Sequence, residues 1–159
     1  MILGTPNSVF SWNYLLKGED HQAYWEQKWT TEQCSILIDG SYFEVKKHGV
    51  ASGQWSLESD NGLHCTAKKI SFWKRSFEIE SPMGLLHLRS NGALKRSFFI
   101  GLDGKVIATI EPKHAFSRHV EMDILIEDYD FPTMALSFWL VILTWRRQQG
   151  SGGSGLGAF

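Results

Sequence analysis

The sequence predicts a mainly β protein: an antiparallel β-barrel of about ten to twelve strands wrapped around one central hydrophobic C-terminal helix at about 132-147. Three observations lead there. Turn dipeptides that end in glycine recur along the chain, at Asp39-Gly40, Asn61-Gly62, Asn91-Gly92 and Asp103-Gly104. The segments between them alternate apolar and polar residues. One stretch near the end, FPTMALSFWLVILTWRR, does not alternate at all.

Asn-Gly and Asp-Gly supply the positive-φ residues that tight hairpins need. In SILIDGSYFEV, Ser35 to Ile38 and Tyr42 to Val45 read as the two arms of a hairpin. Further on, Trp55 and Leu57 alternate with polar residues, and so do Leu63, Cys65 and Ala67. RSFEIES places Phe77 and Ile79 on one face and Glu78 and Glu80 on the other, and GKVIATIE repeats the pattern with Val106, Ala108 and Ile110. A period of two gives a sheet one dry face and one wet face. From about Phe10 to Ile126 the pattern yields ten or more strands and no helix.

From Met134 to Trp145 every residue is apolar except Ser137 and Thr144. Pro132 suits a first helical turn, and Glu127, Asp128 and Asp130 put negative charge at that end, with Arg146 and Arg147 at the other. The 13 residues from Thr133 to Trp145 would span roughly 20 Å as a helix, short of the ~30 Å of a bilayer's hydrocarbon core. A helix that is apolar all round must still be buried all round. A one-sided sheet curled around it satisfies both elements. Ser137 and Thr144 would then bond back to helix carbonyls.

With 159 residues the chain reads as a single domain over 1-149, followed by a flexible Gly/Ser-rich tail at 150-159. A net charge of −1 gives no reason to expect nucleic acid as a partner. Cys34 and Cys65, in apolar surroundings and without a CxxC spacing, read as buried thiols. MILGTPNSVF lacks the basic and long apolar regions of a secretory signal, and a reduced, cytoplasmic setting is expected.

The layout, with SFWKRSFEIES, GKVIATIEP and FPTMALSFWLVILTWRR as its most specific stretches, resembles the tubby C-terminal-like superfamily: tubby domains, phospholipid scramblases and LURP-one-related proteins. The resemblance covers roughly Trp25 to Arg147 and is closest to the small bacterial members. It implies a closed barrel around a hydrophobic C-terminal helix, with no settled activity for such members. Animal tubby domains bind phosphoinositide headgroups through basic surface residues, and these have no position-by-position match here.

Basic residues cluster at Lys68, Lys69, Lys74, Arg75, Arg89, Lys95 and Arg96, against only Glu78 and Glu80. Phe72 and Trp73 sit between two basic pairs. Cations interleaved with aromatics suit an anionic headgroup or another phosphorylated ligand; the plainer reading is a solvated hairpin end. The candidate ligand-binding set is therefore Lys68, Lys69, Phe72, Trp73, Lys74, Arg75, Lys95 and Arg96. His119, Glu121 and Asp123 share a strand face, but at ~6.5–7 Å intervals they converge poorly on one ion, so no metal is expected. No GxSxG, Walker glycine loop or HExxH occurs, and neither catalysis nor a cofactor is expected. The expected function is a non-catalytic binding or adaptor module that meets an anionic lipid headgroup, a phosphorylated ligand or a protein, with membrane contact at most peripheral at the inner face. The alternative is a small membrane-associated protein, scramblase-like or tail-anchored, that uses the 132-147 helix.

Overall fold

The structure is a computed structural model and describes residues 1–8, 11–28, 31–49, 53–71, 75–92 and 96–154. Twelve strands follow one another in the chain: β1 (Ile2–Pro6), β2 (Tyr14–Lys17), β3 (Gln22–Lys28), β4 (Gln33–Ile38), β5 (Ser41–Lys47) and β6 (Gln54–Ser59). β7 (Gly62–Ser71), β8 (Ser76–Ser81), β9 (Gly84–Ser90), β10 (Phe98–Leu102), β11 (Lys105–Pro112) and β12 (Val120–Ile124) complete the set before the helix α1 (Phe131–Ser154). Each strand pairs antiparallel with its neighbours in sequence, and β1 pairs with β12 (Leu3 opposite Glu121) to close the barrel. Closure removes both sheet edges. The first strand begins ahead of the expected Phe10, because ILGTP is too short to show its alternation.

Turn geometry follows residue type. At Asp39-Gly40 and Asp103-Gly104 both residues have positive φ (47° and 85°, 51° and 78°), the signature of a two-residue hairpin turn. At Asn61-Gly62 only the glycine does, with φ 106°. That hairpin turns through Asp60 and Asn61, with Ser59 opposite Gly62.

The interior is filled by α1. Every residue from Thr133 to Leu143 is buried, and Phe138 and Trp139 have no exposed surface. Phe138 meets Tyr14 and Trp25 edge-on, with ring centroids 5.6 and 5.4 Å apart, and Trp139 meets Trp55 at 6.3 Å. Gly4 leaves the room that the Phe138 ring occupies, and Ala23, Ala67 and Ala108 are further small buried residues of the barrel. Ser137 and Thr144 donate to the carbonyls of Thr133 and Leu140, each at 2.9 Å, as their position in an apolar helix requires. Cys34 and Cys65 are free and buried. Burial pushes both thiols up, Cys65 to about 12.

Asp130 caps the helix. Its carboxylate accepts from the Thr133 amide (3.0 Å) and the Thr133 hydroxyl, while the Asp130 carbonyl accepts from Met134. His64 also reaches Asp130 at 2.7 Å. It can do so because His64 is the extra residue of a bulge: Leu57 faces Cys65 and Glu58 faces Leu63. At the other end α1 continues to Ser154, past the expected end near Arg147 and into part of the stretch read as tail. Propagating a formed helix adds a hydrogen bond for each residue fixed. Arg146 and Arg147 therefore precede the last turn and do not act as its dipole partners. No helix among the described residues is long and apolar enough to cross a membrane.

Candidate functional site

A meander of antiparallel strands sends every second connection to the same end of the barrel. One end holds the short turns at 18–21, 39–40, 60–61, 82–83 and 103–104, together with the 125–130 link into α1. These carry Glu19, Asp20, Asp39, Asp60, Asp103, Glu127, Asp128 and Asp130, and no Lys or Arg. The opposite end holds the connections 7–13, 29–32, 48–53, 72–75, 91–97 and 113–119. Among the described residues these carry Arg75, Arg96, Lys113 and Arg118, against Glu32 alone. Lys47 and Lys69 join them from strand ends, and Arg146 and Arg147 from α1. By its connections the barrel is thus acidic at one end and basic at the other, although Lys17 and Lys105 border the acidic turns from strand ends as Lys47 and Lys69 border the basic ones. α1 runs with its positive N-terminal pole toward the acids.

At the basic end Glu32 is the hub. Arg147 grips its carboxylate with two hydrogen bonds of 2.6 Å, and Lys47 donates to the same group. Glu32 is held in the left-handed region at φ 53°, a conformation that a non-glycine residue keeps only when its surroundings insist. Burial raises the Glu32 pKa, but the hydrogen bonds and charges of Arg147 and Lys47 outweigh it and hold the carboxyl at about 2. Both cations also lie over the Trp55 ring, at 5.7 and 5.9 Å. Arg146 and Lys69 lie within electrostatic range of the same carboxylate.

Because the folded pKa of Glu32 is below the unfolded value of 4.5, its contribution is complete above about pH 4.5 and is lost as the pH falls toward 2. After solvent screening at the rim the loss amounts to about 1–2 kcal/mol. Urea midpoints measured from neutral to acid pH should show this decline in the wild type and a shallower one in Glu32→Gln. Parallel curves would rule the hub out.

A second group lies along the same rim. Arg96 stacks over Trp145 at 4.2 Å and Arg118 over Trp12 at 4.3 Å. The Trp145 indole donates to the Arg96 carbonyl, and the Tyr14 hydroxyl to that of Arg118. The Arg75 guanidinium donates to the Gln148 amide oxygen. Burial pulls the pKa of Lys69, Arg75, Arg96 and Arg146 down. Neighbouring cations add to this at three of them: Arg147 beside Lys69 and Arg146, and Arg118 beside Arg96. The connections of this rim carry more positive charge than Glu32 offsets, with Glu111 and Glu121 nearby on β11 and β12, and an arriving anion would relieve the excess.

The residues picked from sequence are divided by this geometry. Lys69, Arg75 and Arg96 belong to the basic end. Lys68 points outward, opposite Glu78 on β8, and lines a groove of about 260 Å³ on the barrel wall with His48, Gln54, Thr66 and Glu80. Phe72, Trp73, Lys74 and Lys95 lie outside the described residues. Lys47, Lys113, Arg118, Arg146 and Arg147 were not in that set.

No family model, curated protein or solved structure matches this chain.

Two other polar groupings have ordinary chemistry. Ser56 donates to Glu58 at 2.7 Å, and His48 Nε2 lies 2.6 Å from the same hydroxyl. Glu121 and Asp123 face outward on β12, His119 lies in the connection just before it, and no three or more His, Cys, Asp or Glu among the described residues converge on a metal position.

Proposed function

We propose that this chain is a non-catalytic binding module, a small tubby-like barrel, that docks its basic end onto a phosphate-bearing ligand, with an anionic lipid headgroup as the leading source. The observation that carries this reading is the separation of charge between the two ends. Eight described cations lie at the end that holds Glu32, and the connections at the other end carry eight acids with no Lys or Arg. Such a field orients the protein before contact and draws an anion to the basic end. The barrel around a C-terminal helix supports the tubby-like reading. On this proposal the protein is cytoplasmic and peripheral at the inner face of the membrane.

The tail-anchored and scramblase-like alternative is the weaker one. It would require the Thr133 to Leu143 side chains to leave a barrel in which they are already buried, at a loss on the order of 1.5–3 kcal/mol for each large side chain.

Co-sedimentation with phosphatidylserine-containing vesicles tests the proposal. Reversing Lys69, Arg75 and Lys113 to Glu should weaken retention by well over tenfold, since each basic group near an anionic surface contributes about 1 kcal/mol. Lys68→Glu, on the wall, should leave it nearly unchanged. Thermal melts would establish that the variants fold. A wild type that is not retained at physiological salt and does not bind inositol hexakisphosphate would sink the reading. Equal losses from Lys68→Glu and from the rim variant would remove the basic end as the site.

A further inference from the structure

We infer that Phe116 is a hydrophobic wedge that enters the bilayer when the basic end docks, which makes the partner of this end a membrane surface. The inference rests on the anion-binding reading above and goes further by naming a residue that enters the apolar layer beneath the headgroups. Phe116 is 98% exposed, the highest value among the described large hydrophobic residues. A lone exposed apolar side chain is ordinary. What sets this one apart is the bracing of the loop that holds it out.

Phe116 lies in the 113–119 connection between β11 and β12, and hydrogen bonds fix that loop from both sides. Lys113 N donates to the His119 carbonyl (2.8 Å), Ser117 N to that of His114 (3.0 Å), and His119 N to Ser117 Oγ (3.0 Å). The Arg96 guanidinium donates to the carbonyls of Ala115 (3.4 Å) and Ser117 (3.0 Å), the residues on either side of Phe116. Arg118 donates to the Ser11 carbonyl and stacks on Trp12. The loop is anchored through the same cations that make the rim basic. The phenyl ring therefore points away from the barrel because the backbone is held that way.

An exposed phenyl ring on a loop that carries Lys113 and is braced by Arg96 and Arg118 matches the layered chemistry of an anionic bilayer. The cations meet the headgroups while the ring reaches the acyl boundary. A soluble phosphorylated ligand would use the cations and leave the ring in water.

The test uses the full chain. Phe116→Cys carries an environment-sensitive nitrobenzoxadiazole probe, and the native thiols do not compete because Cys34 and Cys65 are 3% and 2% exposed. On phosphatidylserine-containing vesicles the probe's emission should shift to the blue and be quenched by brominated acyl chains. Phe116→Ala should bind these vesicles about tenfold more weakly, the effect of losing part of a buried aromatic side chain. Its affinity for inositol hexakisphosphate should not change. Wild-type retention on vesicles with an unshifted probe, and with Phe116→Ala equally retained, would overturn the wedge and leave headgroup docking standing. A wild type that binds inositol hexakisphosphate but no vesicle overturns the wedge in favour of a soluble ligand. A wild type that binds neither overturns both readings together.

Discussion

Gly4→Ala is expected to destabilise the protein by about 3 kcal/mol, and Gly4→Val to prevent folding. Gly4 lies on the inward face of β1, where a Cβ would sit 2.2 Å from Cζ and 2.7 Å from Cε2 of Phe138, and 3.3 Å from Leu16 Cδ2. An exposed ring would swing aside, but Phe138 is fully buried and boxed by Tyr14 and Trp25. The strand itself would have to retreat, and β1 is the strand that closes the barrel on β12. Trimming the ring should relieve the clash. Phe138→Leu is destabilising alone but should be far less so in the Gly4→Ala background, giving a double-mutant cycle with clear coupling. Urea midpoints for the four proteins decide it, and additive effects would mean that the ring does not fill the space above Gly4.

Trp139→Ala should be the most damaging change within the helix, at about 3–5 kcal/mol. Trp139 has no exposed surface, packs edge-on to Trp55, and donates its indole N–H to Gln27 Oε1 at 3.0 Å. Truncation leaves a large cavity and removes the donor that Gln27 meets inside the barrel. Trp139→Phe keeps most of the volume and should lose less, leaving mainly the hydrogen bond, about 1 kcal/mol. Gln27→Leu in that background should recover part of the loss, because no buried amide would then lack its partner. If Trp139→Phe were as damaging as Trp139→Ala, the bond to Gln27 would carry more than packing does.

The hairpins and the helix were legible because each is a local pattern. Asp39-Gly40 and Asp103-Gly104 announce their turns in two residues, and the apolar run from Met134 announces a buried helix in twelve. β1 was missed because Ile2–Pro6 has one alternation and gains its place only from β12. Gln27 inside the barrel was missed for a related reason. A single polar residue on a dry face makes sense only once Trp139, 112 positions later, is known to lie opposite.

The basic end was half legible. Grouping residues by closeness in sequence put Lys68 beside Lys69, although adjacent strand residues face opposite ways. The same grouping left out Lys113, Arg118, Arg146 and Arg147, which reach that end through other loops and the helix. Sorting the connections by odd and even hairpins would have found the charge separation from sequence alone. The exposure of Phe116 had no such signal, since it depends on Arg96 gripping the carbonyls on either side.

The pairing of β1 with β12 also sets an order of events during synthesis. Leu3 waits for Glu121, so the first strand of the barrel has only one of its two partners until almost the whole barrel has been made. The helix that fills the interior emerges later still. Until then the growing sheet has an empty, greasy concave side and an unpaired leading edge, the features that invite association between nascent chains. Assembly of this barrel is therefore a late and concerted event. The cell's holding chaperones, which bind apolar surface, would matter more to its yield than its final stability suggests.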